Sequence, residues 1–380
     1  MSDSPPIADA CRPVAVTDRS GFDESVHHGA VVVLDESGEV AFSVGDPDVN
    51  IYPRSSNKPM QADAMVRLGL RLDPSELALA CASHDGTERH VATAHRILVG
   101  AGLDESALAN TPGLPLDDEA ADRLVRQGGN RAPVYQNCSG KHAAMVATCV
   151  VNGWEIDGYL EFDHPLQVAI TARIADLAGP VAHIGIDGCG APAHVVSLRG
   201  LAQAFRTLAI ERGPVWSAMT HYPDLVAGEQ RDATRIMRLV PELMAKDGAE
   251  GVFAAALPDG RAAAVKIADG NGRAAGIVLA AGLAVAGVDV DPTALGDPIR
   301  AARIGVEAER AQQWESWSGQ DWSSREPRQR ALQQFAHTRP RVDLGPREFG
   351  GRHATRKDRR RRIARIEQLG YHGGFPTVGQ

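Results

Sequence analysis

The chain has 380 residues, 43% of them hydrophobic and 23% charged, with a formal net charge of -8 at pH 7. This is the composition of an ordinary globular chain, large enough for one big domain or two modest ones, and its acidic balance argues against nucleic acid as a partner. Met1 to Pro6 has no basic, apolar leader pattern and no later apolar run approaches a membrane span, so a cytoplasmic chain with no membrane partner is expected.

In chain order, the apolar run Val31–Leu34, the turn Asp35–Gly38 and the run Val40–Val44 read as a β-hairpin. Helical periodicity then dominates, over residues 60–70, 75–81, 91–98, 140–151, 166–177, 201–210 and 234–243. A second hairpin, 252–257 and 262–268 about Pro258-Asp259-Gly260, closes the body, and residues 273–285 read as a helix packed on the sheet. The expected architecture is therefore α+β, an antiparallel sheet with a helical block inserted between its halves. Beyond residue 295 the composition changes. Residues 296–380 hold seventeen basic and ten acidic side chains, including the run Arg356–Arg362, and read as an atypical Arg-rich extension, solvated or partly disordered, on a catalytic domain of residues 1–295.

Lysine is scarce, at 58, 141, 246, 266 and 357 only, and arginine supplies the other basic side chains. Arginine cannot give up its proton, so a retained lysine marks a place where an amine is needed. Arg54-Ser55-Ser56-Asn57-Lys58-Pro59 puts Ser55 three residues ahead of Lys58, one helical turn apart. A neutral amine there could activate the hydroxyl, although Pro59 pushes Lys58 toward the cap of the helix. Cys81-Ala82-Ser83-His84-Asp85 supplies a second serine, Ser83, at a helix end. Its Ser-His-Asp string is not read as a triad, because triads are assembled in space.

Asn137-Cys138-Ser139-Gly140-Lys141-His142 gathers a thiol, a hydroxyl, an amine and an imidazole at a helix N-terminus, where the dipole favours a thiolate. Asp187-Gly188-Cys189-Gly190 adds a thiol that could share an ion with Cys138, although no Cys-x-x-Cys or His-Glu-x-x-His spacing exists and two unrelated buried cysteines remain the alternative. Five cysteines, an odd number spread through a long chain, argue against a disulfide framework. On the closing strand, Lys266 faces away from Val265 and Ile267, either to solvent or across a cleft. Glu229, in Val226-Ala227-Gly228-Glu229, reads as a possible supporting acid.

Taken in order, Arg-Ser-x-x-Lys-Pro, Cys-Ala-Ser-His, Asn-Cys-Ser-Gly-Lys-His, Asp-Gly-Cys, Val-Ala-Gly-Glu and Val-Lys-Ile-x-Asp-Gly resemble the rhizobial-type, or asparaginase II-like, L-asparaginase family. The resemblance covers residues 14–290. It implies a fold similar to serine β-lactamases and glutaminases, and hydrolysis of the L-asparagine side-chain amide to L-aspartate and ammonia. Carried onto this chain, it implies two Ser-Lys tandems, Ser55 with Lys58 and Ser83 with Lys266. It further implies zinc held by Cys138, Lys141 and Cys189, substrate held by Glu24, Arg54, Asn137 and Asp187, and a homodimer. Ser55 is favoured as nucleophile because its lysine is local, with Ser83 second. Other amide or β-lactam hydrolysis on the same machinery, glutamine included, stays open, as does an inactive zinc-binding homologue.

Overall fold

The computed structural model describes residues 7–19, 22–290, 295 and 302–303. The Arg-rich extension expected over 296–380 lies, apart from residues 302–303, outside the described residues.

Among the described residues ten strands pair antiparallel throughout: β1 (Arg12–Arg19), β2 (Phe22–Leu34), β3 (Val40–Val44), β4 (Asn50–Ile51), β5 (His183–Ile186), β6 (Pro192–Ser197), β7 (Met244–Gly248), β8 (Val252–Ala256), β9 (Ala262–Ile267) and β10 (Ala302–Arg303). The main sheet runs β10-β1-β2-β9-β8-β7, with β3 also on β2, and a small sheet runs β4-β6-β5. β2 and β9 pair from Gly29 with Ile267 to Leu34 with Ala262. That seam joins the first hairpin to the last, so the intervening helices form an insert between sheet halves, as the two hairpins in the sequence imply.

The seam is built from small residues. β8 and β9 are buried at every position, and Ala254–Ala256 sit beside Ala262–Ala264. Such strands read as unbroken apolar runs because both of their faces are covered. The helices Leu198–Glu211 and Ala275–Val285 supply cover. The second carries no charged residue, as a helix buried on nearly all sides requires.

Two departures from the sequence pattern have local causes. The helix expected over 234–243 is Asp232–Leu239. Pro241 follows two residues later, Glu242 takes a left-handed φ of 63°, and the chain turns into β7. At the other edge, β1 and the outer half of β2 form a polar, bulged pair with register shifts at Pro13/Ala15 and Thr17/Asp18, which erases a period-two signal.

Candidate active site

The turn that carries Ser55 is a single 3-10 turn, Arg54–Asn57, and Lys58 is the first residue of the helix Lys58–Arg67, with Pro59 in its first turn. Arg54 has a φ of 52°, a left-handed conformation that costs a non-glycine residue about 1–2 kcal/mol. Such strain persists where surrounding contacts over-determine it, characteristically at functional sites. Here Arg54 Nε and Nη2 both donate to Asp187 Oδ1, at 3.0 and 2.7 Å. From the other side β7 grips the turn. Ser56 Oγ donates to the Lys246 carbonyl at 2.9 Å, and Gly248 leaves room for the Pro53 carbonyl where any Cβ would collide with it.

This geometry aims Lys58 away from its own turn. Lys58 Nζ donates to the Ala82 carbonyl and lies 3.2 Å from both Ser83 Oγ and Cys138 Sγ. Ser83 is therefore the serine in contact with Lys58. Lys266, expected beside Ser83, instead donates to the Glu250 carbonyl from β9; it is buried, and burial lowers its pKa against the opposing charges of Glu250 and Asp269.

The Ser-His-Asp string is divided among three partners. Ser83 N–H donates to the Val226 carbonyl at 2.9 Å, and Asp85 Oδ1 accepts from Arg231 Nη1 at 3.1 Å. His84, fully buried, accepts from Gly86 N–H on Nδ1, which leaves Nε2 to carry the proton toward Ser139 Oγ at 2.9 Å. Burial, then the stacked His90 and the charge of Lys58, hold His84 neutral with a pKa well below its ordinary value.

Cys138 caps the helix Ser139–Asn152, and Gly140 lets that helix press on the backbone of Leu79 where a side chain would clash. This brings Cys138 to the Ser83 segment. Lys141 Nζ donates to Cys189 Sγ at 3.3 Å. A hydrogen bond from Cys189 is the main cause of a Cys138 pKa far below the thiol range; burial opposes it, and Lys58 and Lys141 add to it. Burial works against the Lys141 ammonium, but its interactions with Cys189, Cys138 and Asp187 outweigh it and raise its pKa. Two sulfurs and one nitrogen suit zinc chemically. Among the described residues no three His, Cys, Asp or Glu side chains converge on a metal position, so Lys141 would have to be the third ligand.

Asp187 Oδ1 takes both Arg54 bonds and Gly188 N–H at 2.7 Å. Burial would raise its pKa, and the Arg54 bonds and charge reverse that. Asn137 is half-buried; its Oδ1 lies 3.4 Å from Cys138 Sγ and its carbonyl accepts from His84 N–H. Glu24 lies on the exposed outer half of β2. Glu229 is no supporting acid, because it is exposed and paired to Arg238 by two hydrogen bonds.

The sequence pattern did not reveal Lys246. It is wholly buried on edge strand β7, and its Nζ donates to the carbonyl and to Oδ1 of Asp247, both at 2.6 Å. Its signal was the scarcity of lysine: all four described lysines are at most 7% exposed.

The turn Arg54–Asn57 and Lys58 after it thus join Asp187, the partner of Arg54, to Ser83 and Cys138, which Lys58 reaches, and Cys138 packs with Cys189, the partner of Lys141. The family model described as L-asparaginase II matches residues 15–309. The chain belongs to the L-asparaginase II family. No curated protein sequence matches it. Among solved structures it is similar to a β-lactamase from Mycobacterium bovis, at 17% identity over 67% of this chain and 92% of that one, with a TM-score of 0.35. A putative β-lactamase from Bacteroides dorei DSM 17855 is similar at 14% identity over 66% and 91%, with a TM-score of 0.35. As a member of the L-asparaginase II family the protein is a hydrolase acting on a small-molecule substrate. None of its described helices is long and apolar enough to cross a membrane.

Proposed function

We propose that this member of the L-asparaginase II family hydrolyses L-asparagine to L-aspartate and ammonia through a serine acyl-enzyme. The observation that carries the reading is the buried amine of Lys58 at 3.2 Å from Ser83 Oγ, within base-to-nucleophile reach, in the same cluster as the Arg54–Asp187 pair. Lys58 takes the proton of Ser83 as its oxygen bonds the side-chain carbonyl carbon; the carbon–nitrogen bond then breaks and the amide nitrogen leaves as ammonia with a proton returned to it. Water attacks the ester, and aspartate and the free serine result. Ser55 and Lys266 are the second hydroxyl and amine of the site.

An α-amino acid presents one ammonium and one carboxylate. Contacts within the protein occupy Arg54 Nε and Nη2 and Asp187 Oδ1, which leaves Arg54 Nη1 for the carboxylate and Asp187 Oδ2 for the ammonium. Asn137 and Glu24 complete the proposed substrate contacts. Cys138, Cys189 and Lys141 would hold zinc, whose charge would order the cluster and the substrate. A homodimer in the cytoplasm completes the reading, and sedimentation of the purified chain tests the dimer.

The decisive experiment is ammonia release from asparagine, with glutamine and a β-lactam run beside it. Ser83→Ala is expected to lower kcat by about 10⁴-fold or more without unfolding the protein. A Ser83→Ala enzyme near wild-type rate, alongside a dead Ser55→Ala, transfers the nucleophile's role to Ser55. Metal analysis is separate: Cys189→Ala should lose bound zinc, and a full equivalent retained in that variant removes Cys189 from the ligand set.

A further inference from the structure

The cleft has two walls, the turn carrying Ser55 and Lys58 and the segment carrying Ser83, and Lys58 is one tie between them. A second tie runs through residues to which the reaction above assigns no part. Lys246 accepts from Ser56 Oγ on its carbonyl, which fixes β7 to the first wall. Its Nζ reaches Asp247 Oδ1, while Asp247 Oδ2 accepts from Arg231 Nη2 at 2.6 Å. Arg231 Nη1 then reaches Asp85 Oδ1 at 3.1 Å. Asp85 is two residues beyond Ser83, and its backbone is held on both sides: its N–H donates to the Ala227 carbonyl at 2.8 Å and its carbonyl accepts from Asp117 N–H at 2.9 Å. Gly228 is required for this closeness, because any Cβ there would overlap the Asp85 carboxylate.

We infer that Lys246, Asp247, Arg231 and Asp85 form a positioning relay that fixes Ser83 relative to the Lys58 amine, resting on the hydrolase reading above. Asp247 is the hinge pin of the relay, since each of its oxygens serves a different wall. Burial opposes its charge, and the charges and bonds of Lys246 and Arg231 overcome it, so that its carboxyl is held well below its ordinary range. None of the four touches Lys58 or the thiols through a hydrogen bond, so the bonds of the relay act on geometry, and Lys246 meets Lys58 through charge repulsion alone. A hydroxyl displaced by about 1 Å from its base loses about 100-fold in rate, which is the effect the relay prevents.

Arg231 is the place to cut it. The residue borders a cavity of about 550 Å³, so a shorter apolar side chain is accommodated there without overpacking. Arg231→Met and Arg231→Lys are compared with wild type in kcat and KM for asparagine, and in hydrogen exchange of the Ser83 and Asp85 amides. Arg231→Met is expected to lower kcat by about 10- to 100-fold with little change in KM. It should also speed exchange at both amides by about ten-fold, and Arg231→Lys should recover part of each. Faster exchange with unchanged kcat makes the network merely structural and overturns the proposal, as does a loss of kcat with exchange unchanged. A wild-type chain inactive on asparagine defeats the functional reading instead; the exchange comparison then decides the relay alone, unaltered exchange overturning it.

Discussion

The buried amines and the exposed guanidinium groups of this protein do different work. Lys58, Lys141, Lys246 and Lys266 are all buried, each against a carbonyl, thiol or carboxylate, whereas Arg123, Arg126 and Arg238 pair with carboxylates in solvent. The difference follows from chemistry. A lysine amine can be moved between charged and neutral forms by its surroundings, and an arginine cannot. Burying an ammonium costs stability, so the four described lysines are placed for what the amine does there.

The largest expected effect tests this contrast directly. Lys58→Arg keeps a cation but removes a base, and is expected to lower kcat for asparagine by about 10²–10⁴-fold; Lys58→Met serves as the uncharged control, with circular dichroism confirming the fold. An arginine variant with half the wild-type rate would erase the distinction between the two cations.

The next effect is on stability. Burial lowers Lys246 from 10.5 to about 8, against the opposing charge of Asp247. Below about pH 8 the amine is protonated folded and unfolded, and the cost of burying it is full. Between about 8 and 10.5 the unfolded chain keeps the proton and the folded chain does not, so stability rises with pH, and above 10.5 the cost has gone. At about 1.4 kcal/mol per pKa unit, wild type should gain about 3 kcal/mol on Lys246→Met across that window. Asp247 stays ionised throughout and does not contribute to the slope. Urea unfolding at several pH values measures it, and a constant difference between the two proteins would mean that Lys246 is an ordinary ammonium.

The smallest effect belongs to the surface. Arg126 and Asp122 pair at 3.2 Å with the arginine 74% exposed, and Arg126→Ala should change stability by less than about 0.5 kcal/mol and leave kcat alone. A larger loss by thermal denaturation would show that the exposed arginines carry structure as well.

The elements legible in the sequence are those with clean periods. The hairpins around Ser37 and Asp259 and the helix over Ser139–Asn152 follow from alternating or helical apolar spacing and from turn residues. The motifs around Ser55, Ser83, Cys138 and Cys189 are legible as well, because their order along the chain is distinctive. What could not be read is direction. Spacing pairs Ser55 with Lys58, but a 3-10 turn and Pro59 send the amine across to Ala82 and Ser83. β7 escaped notice because Lys246 and Asp247 look like solvent-facing residues until Arg231 and Asp85 arrive from elsewhere in the chain. The outer half of β2 was hidden by its own polar composition.

The five thiols, all free and all buried, make the native protein opaque to alkylating reagents. Any labelling must therefore report an opening of the structure. Because Cys138 is held far below the thiol range, in the metal-free protein it should react before Cys81 and Cys149, when the cleft alone breathes, with those two following only on global unfolding, since burial raises both of theirs. The molecule thus carries its own two-stage gauge, readable by mass, of how far the active site loosens before the rest of the fold gives way.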